Sequence, residues 1–310
     1  MKIFDMHADI GTDCMDNIQI ENAFKVRHID KLKKGEIGGV FTACYFEGKE
    51  SWKQMQDMIL NMNKQIKLNE NEVRQIKSKE DLIEDDKLLT LISVEGMCGI
   101  TEDFENRIQW MYDNGVRVAI MAWNESNALC EGWTHDPCRG LTDAGKSVVK
   151  KMNDLNMIID VSHLNEKSFW DVIEYSKKPI IASHSNYRNI CAHGRNLTEQ
   201  QIKAIAAKGG LIGLNAAKSM AHADNELKTV ETLAKHARAM ANLVGVEHIG
   251  CGFDFMDYLE GWNDSRMVKG MESAEFAQSL PKALKGEGFS DEEVEMICFK
   301  NTLNFLKNNL

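Results

Sequence analysis

Short runs rich in β-branched and apolar residues alternate along this chain with longer segments of helical periodicity. The predicted strands are residues 2–6, 37–45, 88–94, 116–122, 156–162, 178–183, 209–214 and 247–253. The predicted helices are residues 52–77, 103–114, 142–154, 167–176, 198–208, 228–244, 273–285 and 290–307. Such alternation is typical of βαβ units with parallel strands. Eight strands close an α/β barrel, so the predicted fold class is α/β, a (β/α)8 TIM-type barrel.

Capping residues and prolines support the predicted helix boundaries. Thr198 precedes one apolar helical run, and Ser290 stands three residues before Glu293 at the start of another, which are N-cap signals. Pro281 is expected near a helix interruption. The sequence contains no linker, repeat or low-complexity stretch, so residues 1–310 are expected to form a single domain.

The composition excludes several classes of partner. A net charge of -10 and scattered basic residues argue against nucleic acid, whose binding needs clustered Lys and Arg. The first residues, MKIFDMHADI, contain no apolar stretch of signal-peptide length, and no window reaches the ~20 apolar residues of a spanning helix. We therefore expect a cytoplasmic protein that binds neither nucleic acid nor membrane.

The cysteines do not indicate a structural metal site. All eight occur singly, without a CxxC pair, and in a chain without a secretion signal they are expected to be reduced thiols. Cys130 and Cys138 are the closest pair and could bridge or bind metal, but a zinc site normally groups four ligands.

Residues of metal-ligand type follow five of the predicted strands. They are His7, Asp9, Glu95, His163, His184 and Asp254. The carboxyl ends of the strands of an α/β barrel surround one pocket, where active sites of this fold lie. The period of two in a strand also points both side chains of a His-x-Asp pair the same way.

Each of these residues alone has an ordinary structural explanation. The His-x-Asp pair can occur by chance, Glu95 could form a salt bridge, His163 could be a core histidine, and His184 could be a turn residue. Without a metal site, all of these explanations would have to hold at once and independently of one another. A single metal site accounts for the whole set, so the set favours a metal site. Three imidazoles with carboxylates suit zinc, or manganese and iron less well. Two ions bridged by a carboxylate would use every ligand and would activate water for hydrolysis.

Several motifs resemble those of one known family along nearly the whole chain. They are FDMHAD, SVEG around Glu95, GLTDAGKSVVKKMN leading into IIDVSH, then PIIASHS, HGRN and IGCGFDF. In order and spacing they resemble the renal (membrane) dipeptidases and their bacterial relatives, which have amidohydrolase-type barrels. The resemblance implies two zinc ions per chain, a dipeptide substrate and a homodimer.

The resemblance also implies a ligand for each metal. His7 and Asp9 would hold one zinc, His163 and His184 would hold the other, and Glu95 would bridge the two ions.

Two further residues receive roles in substrate handling. Asp254 matches the acidic residue that takes a proton from the attacking water and delivers it to the leaving amine. Arg195 matches the arginine that binds the free carboxylate of the substrate, which a guanidinium can grip through two parallel hydrogen bonds.

Two segments depart from the pattern of the family. Where mammalian members carry a histidine that contacts the scissile carbonyl oxygen, this chain reads Met121-Ala122-Trp123-Asn124. Zinc, Asn124 or another donor would then stabilise the oxyanion, while Trp123 would pack or donate through its indole N–H. The acidic motif ends in Met256-Asp257 rather than Asp-Gly.

The predicted function is zinc-dependent hydrolysis of L,L dipeptides, with L,D dipeptides as a further candidate. One alternative is hydrolysis of another amide, a lactam, a lactone or an N-acyl compound by the same centre. A second alternative is a catalytically silent barrel that binds metal or peptide.

Overall fold

The computed structural model describes residues 1–83, 85–259 and 266–310. Its parallel strands are β1 (Ile3–Ala8), β2 (Ile37–Tyr45), β3 (Val73–Gln75), β4 (Leu88–Glu95), β5 (Val116–Ile120), β6 (Ile158–Asp160), β7 (Ile180–Ala182), β8 (Leu211–Leu214) and β9 (Ile249–Cys251). β1 pairs with β2 and β9, and β2 pairs with β4, so eight strands form a closed ring with β3 added to the edge of β4. This arrangement confirms the predicted (β/α)8 barrel.

Helices connect and cover these strands. They are α1 (Ile10–Asp16), α2 (Asp30–Lys34), α3 (Trp52–Leu68), α4 (Phe104–Asp113), α5 (Asp143–Asp154), α6 (Glu166–Tyr175), α7 (Glu199–Ala207), α8 (Lys218–Ala221), α9 (Val230–Val244), α10 (Ser279–Gly286), α11 (Asp291–Glu295) and α12 (Asn301–Asn309). In the described ranges, none of them has the length and apolar character needed to cross a membrane.

The predicted helix over residues 52–77 is wrong in its last third. α3 ends at Leu68, and the side chain of Asn69 donates a 2.8 Å hydrogen bond back to the Gln65 carbonyl, which caps the helix end. β3 follows and pairs with Leu88–Thr90 of β4. It forms there because β5 pairs with β4 only from Ile92 onward, so the first half of that edge of β4 is open to another strand.

The C-terminal helices differ from prediction in their boundaries. The helix predicted over residues 273–285 starts later, at Ser279, and Pro281 lies in its first turn, where a missing backbone N–H breaks no helical hydrogen bond. The helix predicted over residues 290–307 is capped by Ser290 and Glu293, as expected. A π-helical turn at residues 296–300 joins α11 to α12.

The amino-terminal end of the barrel is filled and closed. Phe4 and Phe41 from β1 and β2 meet edge to face with ring centroids 5.7 Å apart. They belong to the same buried cluster as Leu303 and Leu306 of α12. The opposite end, where the strands terminate, is therefore the end open to a ligand.

All eight cysteines lie in the described part of the chain and are free thiols. Cys130 is buried and Cys138 is exposed.

Candidate metal centre

The six predicted ligand-type residues meet at the carboxyl end of the barrel. His7 lies in β1, Asp9 follows it, Glu95 is the last residue of β4, and His163, His184 and Asp254 follow β6, β7 and β9. Five of them are buried, and Asp254 is partly buried.

Glu95 lies between one histidine on one side and two histidines on the other. Its Oε2 lies 3.1 Å from His7 Nε2 on one side. Its Oε1 lies 2.6 Å from His163 Nε2 and 3.6 Å from His184 Nε2 on the other. Each carboxylate oxygen therefore faces a different set of ring nitrogens.

Two more carboxylates surround His7. Its Nε2 lies 3.6 Å from Asp9 Oδ1 and 3.9 Å from Asp254 Oδ1. One ligand atom from each of His7, Glu95 and His184 can come within 4.8 Å of the others, and the same is true of His7, Asp9 and Asp254. The two groups share His7.

The donor atoms fit a divalent metal. His7 Nε2 and Asp9 Oδ1 are buried and have no hydrogen-bond partner among the described residues. His163 Nε2 and His184 Nε2 point at each other across 2.9 Å. Buried donors and acceptors normally find partners, and a cation shared by these atoms would satisfy them. Imidazole nitrogens combined with carboxylates suit zinc and other first-row transition metals.

Burial and neighbouring charges keep Glu95, His163 and His184 in metal-binding forms. Although burial opposes it, the charge of His7 and the neighbouring His163 hold the pKa of Glu95 well below its usual range. Burial, reinforced by Arg195, lowers the pKa of His163 to about 3. Burial and the charge of His7 also lower the pKa of His184. Glu95 is thus anionic, and His163 and His184 are neutral with a lone pair to donate.

Two aspartates that were not predicted from the sequence form hydrogen bonds with residues at or next to the ligands. Asp5 Oδ1 accepts hydrogen bonds from the backbone N–H groups of His7 at 3.2 Å and Phe253 at 2.8 Å. Asp160 Oδ1 accepts from Ser162 Oγ at 2.6 Å and from the Ser183 N–H at 3.1 Å. Asp5 precedes His7 by two residues, so the strand period could have indicated it.

Close backbone packing presses the ends of β8 and β9 against the end of β7. A Cβ atom on Gly213 would lie 1.8 Å from the carbonyl oxygen of Ser183, and one on Gly252 would lie 1.7 Å from the same atom. Only glycine permits this approach. The hydroxyl of Ser183 in turn forms a 2.8 Å hydrogen bond with Nδ1 of His184.

Asp254 has an unusual backbone conformation. Its φ of 59° lies in the left-handed region, which aspartate tolerates better than most residues. Its N–H donates to the His7 carbonyl at 3.2 Å, and its Oδ2 accepts from Asn215 Nδ2 at 3.1 Å. Burial raises the pKa of Asp254 to about 7 against the opposing charge of His7. Asn215 directly follows β8. The search for polar residues after predicted strands, which indicated the other residues, could therefore also have indicated Asn215.

Arg195 borders the centre on the side of His163. It is 8% exposed, and its Nε donates to the Ser162 carbonyl at 2.6 Å. Its Nη1 lies 2.9 Å from His163 Nδ1, whereas Nη2 is buried without a hydrogen-bond partner among the described residues. Burial lowers the pKa of Arg195 to about 10, so the side chain is a cation at neutral pH.

Asn124 also contacts His163. Its Oδ1 lies 3.0 Å from His163 Nδ1. The neighbouring Trp123 packs edge to face on Tyr45 at 5.0 Å and lies 6.0 Å from the His163 ring. Trp123 therefore has packing contacts, as predicted for its ring.

A cavity of about 500 Å³ opens over these residues. Its lining includes Asp9, Glu95, His163 and Asp254 on the metal side, together with Tyr45, Trp123, Trp133, Asn124 and Arg195. The volume is within the range of small-molecule sites. The cavity thus combines a cluster of metal-ligand residues with one buried cation.

The fold is shared with solved metallopeptidases. A metallo peptidase from Rhodobacter sphaeroides, liganded with a phosphinate mimic of the dipeptide L-Ala-D-Ala, superposes with a TM-score of 0.88 at 22% identity, covering 100% of this chain and 99% of that one. The dipeptidase AC, a metallo peptidase of family M19, also superposes with a TM-score of 0.88 at 22% identity, over 100% and 98% of the two chains. At such identities the likeness shows a common fold.

Sequence comparison identifies the family. A protein of the pqqA 5′ region of Klebsiella pneumoniae is 33% identical over 235 residues, which cover 72% of this chain and 83% of that protein. Dipeptidase tcpJ of Claviceps purpurea is 24% identical over 299 residues, 90% of this chain and 69% of that enzyme. The profile of the membrane dipeptidases (Peptidase family M19) matches residues 1–309. The chain therefore belongs to the membrane dipeptidase family, peptidase family M19, and is a hydrolase of the peptidase class.

Proposed function

We propose that this protein is a dinuclear zinc dipeptidase that hydrolyses L,L dipeptides and also accepts L,D dipeptides. The observation that carries the proposal is the position of Glu95, which turns one oxygen toward His7 and the other toward His163 and His184. A carboxylate between two groups of nitrogen ligands is suited to bridge two ions.

Five residues would hold the metals in this proposal. His7 and Asp9 would hold one zinc, His163 and His184 would hold the other, and Glu95 would contribute to both. Bound zinc polarises the peptide carbonyl and lowers the pKa of water, which makes hydrolysis possible at neutral pH.

Asp254 handles the proton of the reaction. Its carboxylate borders the cavity, with Oδ1 3.9 Å from His7 Nε2 and Oδ2 held by Asn215. From this position it takes a proton from the attacking water and returns it to the amine that leaves, which is general acid–base catalysis by one group. The hydrogen bond from Asn215 fixes the orientation of the carboxylate.

Arg195 selects for dipeptides. Its unpartnered Nη2 and its charge bind the free carboxylate of the substrate at the edge of the cavity. A longer peptide places an uncharged amide at that point and leaves the buried guanidinium without an anion, which disfavours binding.

The test is a metal titration joined to a dipeptide screen. Protein stripped with a chelator is reloaded with Zn²⁺, its metal content is measured, and hydrolysis of a panel of L,L and L,D dipeptides is followed. We expect activity to appear as the content approaches two ions per chain. Protein that holds two ions and cleaves no dipeptide would refute the proposal.

Arg195→Met separates dipeptidase activity from hydrolysis of other amides, lactams or lactones. If the substrate carboxylate is recognised, this variant retains its metal and shows a strongly raised KM for dipeptides. Unchanged dipeptide kinetics would instead favour a substrate without a free carboxylate.

A further inference from the structure

The two polar neighbours of His163 Nδ1 require opposite protonation states of that nitrogen. Arg195 Nη1 lies 2.9 Å away and Asn124 Oδ1 lies 3.0 Å away. A guanidinium offers only N–H donors, so the contact with Arg195 needs a lone pair on Nδ1. An amide oxygen only accepts, so the contact with Asn124 needs a hydrogen on Nδ1. A neutral imidazole can satisfy one of these neighbours at a time.

The group bound at the other ring nitrogen, Nε2, determines which of these two contacts can be a hydrogen bond. His163 Nε2 faces Glu95 Oε1 at 2.6 Å and His184 Nε2 at 2.9 Å, inside the proposed metal centre. A neutral histidine binds a metal through a lone pair, so its one ring hydrogen must then sit on the opposite nitrogen. With metal on Nε2, Nδ1 donates to Asn124, and Arg195 Nη1 faces an N–H group that cannot accept its hydrogen bond.

Hydrogen bonds anchor the backbone of Asn124 beside His163. Its own carbonyl oxygen accepts hydrogen bonds from Thr134 Oγ1 and from His135 Nδ1, the latter at 2.9 Å. The backbone of His163 is held in the same region, because its carbonyl oxygen accepts from the Trp133 N–H at 3.0 Å. The backbones of Asn124 and His163 are thus both held in place by residues 133–135.

Arg195 can bind a carboxylate through both terminal nitrogens when its Nη1 no longer contacts His163. Its Nε is committed to the Ser162 carbonyl, and its Nη2 is unpartnered among the described residues. While Nη1 contacts His163, one of its two N–H groups is committed to that ring, whereas both N–H groups of Nη2 can serve a ligand. Once Nη1 is released, the two terminal nitrogens form a fork that matches the two oxygens of a carboxylate.

We infer that Asn124 is a positioning residue that holds His163 in the tautomer that binds metal, and that metal loading thereby releases Arg195 to grip the substrate carboxylate. The inference rests on the proposed function, which places metal on His163 and a carboxylate at Arg195. It gives Asn124 a different role from oxyanion stabilisation, for which the sequence left zinc, Asn124 or another donor as possibilities.

The first experiment measures zinc affinity by competition with a chelator in the full chain. Asn124→Leu removes the acceptor and is expected to weaken zinc binding about 10- to 100-fold, as for other residues that orient metal ligands. Asn124→Asp keeps an acceptor oxygen and is expected to restore at least the wild-type affinity. Ser126→Ala is the matched control in the same loop, since Ser126 Oγ bonds Glu131 Oε1 at 2.9 Å rather than His163.

The second experiment observes the nitrogens directly by NMR in protein with ¹⁵N-labelled histidine and arginine. On addition of Zn²⁺ the Nδ1 signal of His163 is expected to change from the unprotonated to the protonated type. The Nη signals of Arg195, identified by their absence in Arg195→Lys, are expected to shift in the same titration.

None of these measurements depends on turnover. Zinc-loaded protein that cleaves no dipeptide would contradict the proposed function and leave the affinities and spectra unaffected. Equal zinc affinity of Asn124→Leu and wild type would overturn the inference, as would an unprotonated His163 Nδ1 or unchanged Arg195 signals in the zinc-loaded protein.

Discussion

The two sides of Glu95 differ in charge. The carboxylate side consists of His7, Asp9 and Asp254, with oxygen atoms 3.6 and 3.9 Å from the His7 ring. The imidazole side consists of His163 and His184 and has the Arg195 cation 2.9 Å from one ring. A metal ion on the first side would lie near two further carboxyl groups, whereas a metal ion on the second side would be repelled by a cation. In the proposed dinuclear centre, the two metal positions would therefore differ in affinity.

Removal of Glu95 should have the largest effect, because both sides lose their shared ligand. Glu95→Gln is expected to lower kcat/KM for dipeptides by about 10³-fold or more and to reduce zinc content on both sides. The measurements are steady-state kinetics and metal analysis. Glu21→Gln, at an exposed position, is the control and should match wild type. If Glu95→Gln retained two ions per chain, Glu95 would not be a bridge.

Asp254→Asn tests whether the carboxylate side supplies a proton carrier as well as charge. The isosteric change is expected to lower kcat about 10²- to 10³-fold, a typical contribution of general acid–base catalysis. Zinc content should be retained, because His7, Asp9 and Glu95 remain. The control is Asp257→Asn, which breaks an ion pair with Lys31 outside the centre. Loss of metal in parallel with kcat would show that Asp254 is mainly a ligand.

Stepwise chelation tests whether the two sides of Glu95 bind metal with different affinities. The ion on the imidazole side is expected to leave first, with a dissociation constant at least about tenfold higher, since ~1.4 kcal/mol of electrostatic difference suffices for that. Metal content per chain during a chelator titration would show two separate steps. His184→Ala should retain one ion per chain. Loss of both ions in a single step would contradict the comparison.

Ser183→Ala should have a smaller effect, confined to the imidazole side. It removes the hydroxyl that contacts His184 Nδ1 at 2.8 Å, so zinc affinity there should fall about tenfold. Ser185→Ala is a close control, because Ser185 Oγ is buried without a hydrogen-bond partner in the described ranges. Chelator competition on both variants gives the ratio. Equal weakening of both ions by Ser183→Ala would argue against separate sides.

The barrel and the members of the candidate centre could be predicted from the sequence. Strand runs and strand-end residues such as Glu95 and His184 are local signals, and the fold brings them to one place. β3 could not be predicted, because residues 73–75 form a strand only where the edge of β4 is open. That condition is set by tertiary structure rather than by local propensity.

The contacts between the members could not be predicted in the same way. Residue type indicates that Asn124 and Arg195 can form hydrogen bonds, but not that both lie within 3.0 Å of the same nitrogen. That arrangement depends on how the loop around Thr134 and His135 folds over Asn124. Loop conformations of this kind follow from contacts distant in sequence.

The strand that carries Glu95 has partners on both edges along most of its length. β4 pairs with β2 from Leu89 to Glu95, with β3 over residues 88–90 and with β5 over residues 92–95. Strands held in this way open rarely, so their amide hydrogens exchange slowly with solvent. His163 and Asp254, in contrast, follow strands of three residues. In transient local opening, the segments after β6 and β9 would separate from the barrel first. Glu95 would stay in place and remain available to bind metal again.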